Sequence, residues 1–128
     1  MFIQNLNFEQ QSVLLFLAHE VAKADGSSDE LQLGMMSILK AQSQHGVDEK
    51  VIELSELAYL FDTERARCSL LLELLGVAHA NEEYHLTEKD LISTYAVSLG
   101  VSQEKLQALE HWVEAQMSLT KTAEQLLV

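Results

Sequence analysis

Carboxylate side chains are concentrated in two short polar stretches of the sequence, and carboxylates grouped in this way can bind a hard cation. The candidate ligands are Asp25, Asp29 and Glu30 in the first stretch, and Asn81, Glu82, Glu83, Glu88 and Asp90 in the second. Calcium and magnesium bind several oxygen atoms at about 2.0–2.6 Å, and short acidic loops supply such atoms. A simpler interpretation stands beside this one, because acidic residues at the start of a helix also cap free amides and stabilise the positive end of its dipole.

The spacing of these residues excludes an EF-hand and disfavours zinc. An EF-hand loop has glycine at position 6 and glutamate at position 12, whereas counting from Asp25 places a glycine at position 2 and counting from Asn81 finds none. His79 and His85 flank the second stretch and could join the glutamates between them around a softer metal such as zinc. Calcium or magnesium is therefore the expected cation if one binds.

No arrangement of side chains typical of an enzyme active site is recognisable. The sequence has no nucleophile and histidine in a local catalytic signature, and no glycine-rich loop that would bind phosphate. We therefore predict that the protein is not an enzyme. A hydrolase that uses the same carboxylates with a metal is a third hypothesis, which a screen for metal-dependent phosphatase or peptidase activity would test.

The elements that would position these residues are helices. The 128-residue chain has no proline and five glycines, whereas sheet proteins need many turns that draw on both. Apolar residues recur at helical spacing almost throughout. The sequence therefore predicts an all-α fold, a compact bundle of six to seven helices, in a single domain over residues 1–128.

Capping residues give the approximate helix bounds. The predicted helices cover 8–24, 28–44, 49–61, 64–78, 88–99 and 103 onward, and the tail after residue 117 continues the sixth helix or forms a short seventh. The predicted N-caps are Asn7, Ser27, Asp48, Asp62 or Thr63, Thr87 and Ser102. The expected buried face of the second helix is Leu31, Met35, Ile38 and Leu39. The expected inward residues of the sixth are Leu109, Trp112 and Val113.

The fourth helix is apolar nearly all round, which predicts that it is the central and most buried one. Its residues expected to be inaccessible to solvent are Leu71, Leu74, Leu75 and Ala78.

The chain contains two divergent copies of a helix–acidic loop–helix unit. The segment 21–25 (VAKAD) aligns with 77–81 (VAHAN), and each precedes a polar loop and a capped helix. The second helices of the two copies are followed by similar segments, 46–51 (GVDEKV) and 100–106 (GVSQEKL). We therefore expect a pseudo-symmetric bundle in which both copies share one core.

The excess of acidic over basic residues limits the kinds of partner that the protein can bind. With 20 acidic and 8 basic residues the formal net charge is −12, and no lysine or arginine cluster is present to bind nucleic acid or anionic lipid. The single cysteine, Cys68, cannot form an internal disulfide, which is typical of a reducing compartment. No segment resembles a signal peptide or a membrane span. We predict a cytoplasmic protein that does not insert into membranes, and a basic protein partner or a cation as its ligand.

The segment 21–26 (VAKADG), followed by an acidic capped helix start, resembles the A-D-G…E signature of the TerB-like family, which is named for a tellurite-resistance protein. The second copy, 77–81 before 87–90 (TEKD), resembles that family's second signature. The resemblance spans residues 8–113, and it implies a compact bundle of about seven helices with internal pseudo-two-fold symmetry.

The resemblance also implies a function and a set of site residues. It implies an accessory protein of a membrane-linked stress-response or chaperone system, with a patch of acidic residues that binds metal. The residues at the motif positions are Asp25 and Glu30, then Asn81 and either Asp90 by cap register or Glu88 by simple count. This sequence departs from the pattern where Asn81 replaces aspartate and Glu82 replaces glycine, which weakens the second half of such a site.

Overall fold

A computed structural model describes residues 1–24, 30–80 and 83–128, and within these ranges the chain is all-α, with about three quarters of the residues in helices and no β-strand. The six α-helices are α1 (Phe8–Ala22), α2 (Glu30–Gln42), α3 (Leu57–Leu60), α4 (Glu64–Ala78), α5 (Leu86–Leu99) and α6 (Gln103–Leu126). Two single 3₁₀ turns, Ile3–Asn5 and Leu54–Glu56, complete the regular structure. The prediction of an all-α bundle of about six helices is confirmed.

Helix α4 is the centre of the bundle. It contacts α1, α2, α5, α6 and the first 3₁₀ turn. The residues predicted to be inaccessible, Leu71, Leu74, Leu75 and Ala78, are each 0% exposed. This prediction is confirmed, and its cause is the sequence of α4, which leaves no wide polar face to turn toward solvent.

The helix pairs of the repeat, α1 with α2 and α4 with α5, are both in contact, and α1 packs on α4. Three predicted caps are present. The side chains of Asn7, Thr63 and Ser102 each accept a hydrogen bond from the backbone N–H three residues on. At the end of α5, Gly100 has a φ of 75°, a left-handed conformation that favours glycine.

The predicted buried face of α2 is wrong at two of its four positions. Leu39 is 1% exposed, but Leu31 is 60% and Ile38 49% exposed. The helix instead turns the polar Gln32 inward, because its side-chain amide hydrogen-bonds to a buried carboxylate of α5. As a result, the apolar stripe of α2 faces a surface groove. Helix α2 also ends at Gln42, two residues earlier than predicted.

The predicted third helix is mostly absent. Residues 47–53 have no regular structure, and only the turn Leu54–Glu56 and the four-residue α3 follow. Asp48 does not cap a helix, since its carboxylate accepts the N–H of Glu49. The backbone N–H of Lys50 donates to the carbonyl of Ser12, which ties this segment to α1.

Other boundaries shift less. Helix α1 ends at Ala22, two residues before the predicted end at residue 24. The predicted cap Ser27 lies outside the described residues. Helix α5 begins at Leu86, so Thr87 lies inside the helix and is not its cap. A hydrophobic contact between Leu86 and Leu91, which the sequence also predicts at this helix start, is wrong as well, because Leu86 is 71% exposed.

Helix α6 continues to Leu126, which confirms that the tail extends the sixth helix. Its 24 residues correspond to about 36 Å. Val113 is buried and Leu109 partly buried, but Trp112 is 42% exposed, so its predicted inward position is wrong. Every residue from Ser118 onward is exposed. None of the described helices is both long and apolar enough to cross a membrane.

We expect Leu74→Ala to lower the free energy of unfolding by about 2–5 kcal/mol, because it removes a fully buried side chain and leaves a cavity at the centre of the bundle. Urea denaturation measures this loss. Val97→Ala, at a 69% exposed apolar position on α5, is the control and should change it by less than about 0.5 kcal/mol. A small loss for Leu74→Ala would contradict the central placement of α4.

Candidate functional site

The candidate acidic ligands are only partly described by the structure. Asp25, Asp29, Asn81 and Glu82 lie outside the described residues. Of the others, Glu30 is exposed at the start of α2, and Asp90 is exposed on the first turns of α5. Glu83 is exposed, and its carboxylate lies 3.3 Å from Nε2 of His85. Glu88 differs from all of these, because it is 0% exposed.

The carboxylate of Glu88 joins two helix starts. Its Oε1 accepts the backbone N–H of His85 at 3.2 Å, which satisfies a free amide at the N-terminus of α5. Its Oε2 accepts a hydrogen bond from Nε2 of Gln32 on α2 at 2.5 Å. The described starts of α2 and α5 therefore lie at the same end of the bundle. Both contacts give Glu88 a capping and packing role.

A closed metal site is not formed by the described residues as they stand. Within the ranges 1–24, 30–80 and 83–128, no group of three or more His, Cys, Asp and Glu side chains is placed to hold a metal ion. The pooled site of both acidic stretches, which includes Asp25 and Asn81, stays a prediction.

A buried polar cluster lies beside the C-terminus of α4. The ring of His79 stacks on the ring of Tyr84, with centroids 4.2 Å apart. Nδ1 of His79 is hydrogen-bonded to the carbonyl of Leu75 at 2.8 Å, whereas its buried Nε2 has no hydrogen-bond partner in the described structure. Oε1 of Glu114 on α6 lies 4.0 Å from Nε2.

The hydroxyl of Tyr84 is also buried, and the Glu110 carboxylate beside it is at most a weak hydrogen-bond acceptor. Burial raises the pKa of Tyr84 far above its ordinary value, and so do the neighbouring carboxylates, first Glu110 and then Glu88 and Glu114. The hydroxyl therefore faces a region of strong negative potential. Glu110 is itself 7% exposed.

An apolar groove of about 920 Å³ lies between α2, α4 and α6. Its apolar lining is Phe2, Leu31, Met35, Ile38, Leu39, Leu72, Trp112, Val113 and Met117. It extends along α2 from Glu30 to Gln42 and along α6 from Trp112 to Glu124, which at 1.5 Å per residue is about 18 Å on either side. The groove is therefore elongated.

Two helical glycines, Gly34 on α2 and Gly76 in the last turn of α4, line the groove. A Cβ atom added at either position would meet no atom within 4 Å. Neither glycine is required for the fold by close packing, and each lowers helix stability by about 0.8–1.0 kcal/mol relative to alanine. Their absent side chains deepen the groove.

Sequence reasoning missed both the groove and the polar cluster. The groove arises from the rotation of α2 about its axis. The sequence does not predict that rotation, because an apolar stripe on a helix can face either the core or a surface groove. The cluster joins His79 and Tyr84 to Glu114, which lies at least 30 residues further along the chain. The one local indication of the cluster in the sequence is the spacing of Glu110 and Glu114, which lie four residues apart and so on one face of a helix.

The chain matches no family model, and it matches neither a curated protein nor a solved structure. The resemblance to the TerB-like family therefore rests on the short motifs around residues 21–30 and 77–90.

We expect Glu88→Ala to lower the free energy of unfolding by about 1–3 kcal/mol, because it removes the buried acceptor of Gln32 and of the His85 amide. Asp90→Ala, two residues away and exposed, is the matched control and should cost less than about 0.5 kcal/mol. Chemical denaturation of both variants measures the difference. Equal losses would contradict the capping and packing role of Glu88.

We expect the protein to lose stability in alkali because two of its tyrosines, Tyr84 and Tyr95, are buried. Burial raises the pKa of Tyr84 and of Tyr95 in the folded state, so above pH 10 the unfolded chain loses these protons more readily than the folded one. Stability is then fully present below about pH 10 and falls above it. Tyr95→Phe should make the fall in unfolding free energy with pH less steep, by at most about 1.4 kcal/mol per pH unit. Denaturation at several pH values from 8 to 11 measures it, and an unchanged slope would contradict the burial.

Proposed function

We propose that this protein is a non-enzymatic accessory protein, similar to TerB-like proteins, that binds a basic amphipathic helix of a partner protein in the groove between α2, α4 and α6. The exposed apolar lining of that groove is the observation that supports the proposal most. Leu31, Ile38 and Trp112 are between 42% and 60% exposed. Contiguous exposed apolar surface is costly in water and is typical of interaction sites.

The shape of the groove supports a helix as the bound element. A length of about 18 Å corresponds to about 12 helical residues, or three turns. Amphipathic helices bind in such grooves through apolar side chains spaced three and four residues apart. The open space in front of Gly34 and Gly76 would let the helix approach the groove floor closely.

The charge of the protein supports a basic partner. The net charge is −12. The groove is lined by Glu30, Glu73 and Glu124 against Lys121 and the α-amino group of Met1, which pairs with Glu73 at 3.2 Å, so Glu30 and Glu124 exceed the remaining positive charge. A second copy of this chain would bring two strongly acidic surfaces together, which is unfavourable. A partner helix with lysine or arginine on its polar face would instead be attracted electrostatically. The stress-response setting implied by the resemblance is compatible with such a role.

The test uses two designed helical peptides of about 16 residues with the same leucine face. One carries lysine on its polar face and the other glutamate. We expect the lysine peptide to bind and the glutamate peptide not to bind, by isothermal titration calorimetry. Gly34→Leu and Gly76→Leu should weaken binding of the lysine peptide by about tenfold or more, because each fills the groove without changing the charge.

The same two substitutions should not destabilise the protein, because leucine is a better helix former than glycine and the space is open. Val97→Ser, an exposed apolar position on α5 that does not line the groove, is the control and should leave affinity unchanged. Equal affinity of the wild type and both leucine variants would show that the lysine peptide binds by charge alone, and it would contradict the groove as the binding site.

A further inference from the structure

A buried carboxylate lies in the wall of the groove. Glu73 of α4 lines the groove between α2, α4 and α6, yet it is only 7% exposed. Its Oε1 accepts a hydrogen bond from the backbone N–H of Phe2 at 2.6 Å, and the α-amino group of Met1 lies 3.2 Å from the same oxygen. A charged carboxylate is costly to bury unless a cation and hydrogen-bond donors compensate it. Residues 1–2 supply both for Glu73.

Residues 1–2 form a short arm that lies in the groove. Both residues line it, and the ring of Phe2 packs edge-on against the ring of Trp112, with centroids 5.4 Å apart. Met1 is 58% exposed, whereas the next residue after the arm, Ile3, is buried in the core. The arm is therefore fixed to the bundle through Ile3, and it covers Glu73 without belonging to the core.

The arm shows which chemical group the Glu73 carboxylate accepts. The α-amino group of Met1 is a primary ammonium, the same group that ends a lysine side chain. A lysine can therefore replace it with no net change in charge at the carboxylate. Glu30 and Glu124 also line the groove, but both are exposed. Ion pairs with exposed carboxylates are weak, because water screens them.

We propose that Glu73 is the specificity-determining residue of the groove, and that it binds a lysine of the partner helix in place of the arm. This inference rests on the proposed function, because it names the residue that recognises the basic partner. The buried Glu73 is reached only from the face of the helix that enters the groove. The arm packs on Trp112, the first residue of α6 in the groove, so we expect the lysine at one end of that face.

The arm makes binding selective. A partner helix has to break the contacts of the arm with Glu73 and the contact between Phe2 and Trp112. Only a helix that returns a cation to the buried carboxylate compensates this loss, since a buried charge without a partner is strongly unfavourable. A helix with an uncharged side chain at that position therefore binds less tightly than one with lysine.

The test compares four versions of the lysine-faced peptide by isothermal titration calorimetry with the full chain. Two versions carry lysine at the first or at the last position of the leucine face, which covers both directions of the bound helix. The other two carry glutamine at those positions. We expect one lysine version to bind the wild type about tenfold or more tightly than its glutamine counterpart, as is typical of a hydrogen bond to a charged group.

Glu73→Gln should abolish this difference between the lysine and glutamine versions. Glutamine is close to glutamate in size, so the variant should keep the helical circular dichroism of the wild type. Glu124→Gln, which removes an exposed carboxylate of the same groove, is the matched control and should keep the difference.

Phe2→Ala gives a second test that leaves Glu73 in place. Loss of the ring removes the contact with Trp112 and loosens the arm, so this variant should bind the favoured lysine version several times more tightly than the wild type does. If Phe2 served only as groove wall, the same change would remove an apolar contact and weaken binding. Unchanged or weaker binding would therefore overturn the displacement of the arm.

The proposal is also overturned if the lysine and glutamine versions bind the wild type equally, or if their difference persists in Glu73→Gln. Either result leaves the groove as the binding site as long as Gly34→Leu weakens binding. Peptides that do not bind the wild type, or that bind Gly34→Leu equally well, would contradict the proposed function itself. The two failures are therefore distinguishable.

Discussion

The burial of most of α4 is the constraint on which the rest of the structure depends. A helix without a wide polar face is stable in water only when other helices cover most of it, and here α1, α2, α5 and α6 do so, except where Leu72 and Gly76 line the groove. Helix α2 leaves part of its apolar stripe uncovered, because Gln32 turns inward to the Glu88 carboxylate and places Leu31 and Ile38 beside the groove.

That single polar contact connects the core to the candidate function. Glu88 holds the starts of α2 and α5 together, and the same rotation of α2 exposes the apolar wall of the groove. The polar cluster around His79 lies where the end of α4 meets α6, so the central helix also positions its histidine opposite the carboxylate of Glu114. The groove and the polar cluster therefore both depend on the elements that α4 contacts.

Much of the fold could be predicted from local sequence. Three helix starts are predictable from their capping residues, Asn7, Thr63 and Ser102, because a cap bonds to a backbone N–H only three residues away. The apolar composition of α4 likewise predicts its burial. The absence of a helix over residues 47–53 could not be predicted, because the apolar residues there have helical spacing. What holds this segment out of a helix is a distant contact, the backbone hydrogen bond from Lys50 to Ser12 of α1. Neither the groove nor the polar cluster around His79 could be located from the sequence, since each depends on how helices distant in the chain are rotated or packed.

The one tryptophan of the chain, Trp112, gives the most direct test of the groove as a partner-binding surface. It is 42% exposed and forms part of the groove wall, with its ring 5.4 Å from that of Phe2. A helix that binds in the groove would exclude water from the indole. Titration with the lysine-faced amphipathic peptide should therefore shift the tryptophan emission to shorter wavelength and protect Trp112 from a soluble quencher. Saturating peptide that leaves both the emission and the quenching unchanged would contradict binding in this groove.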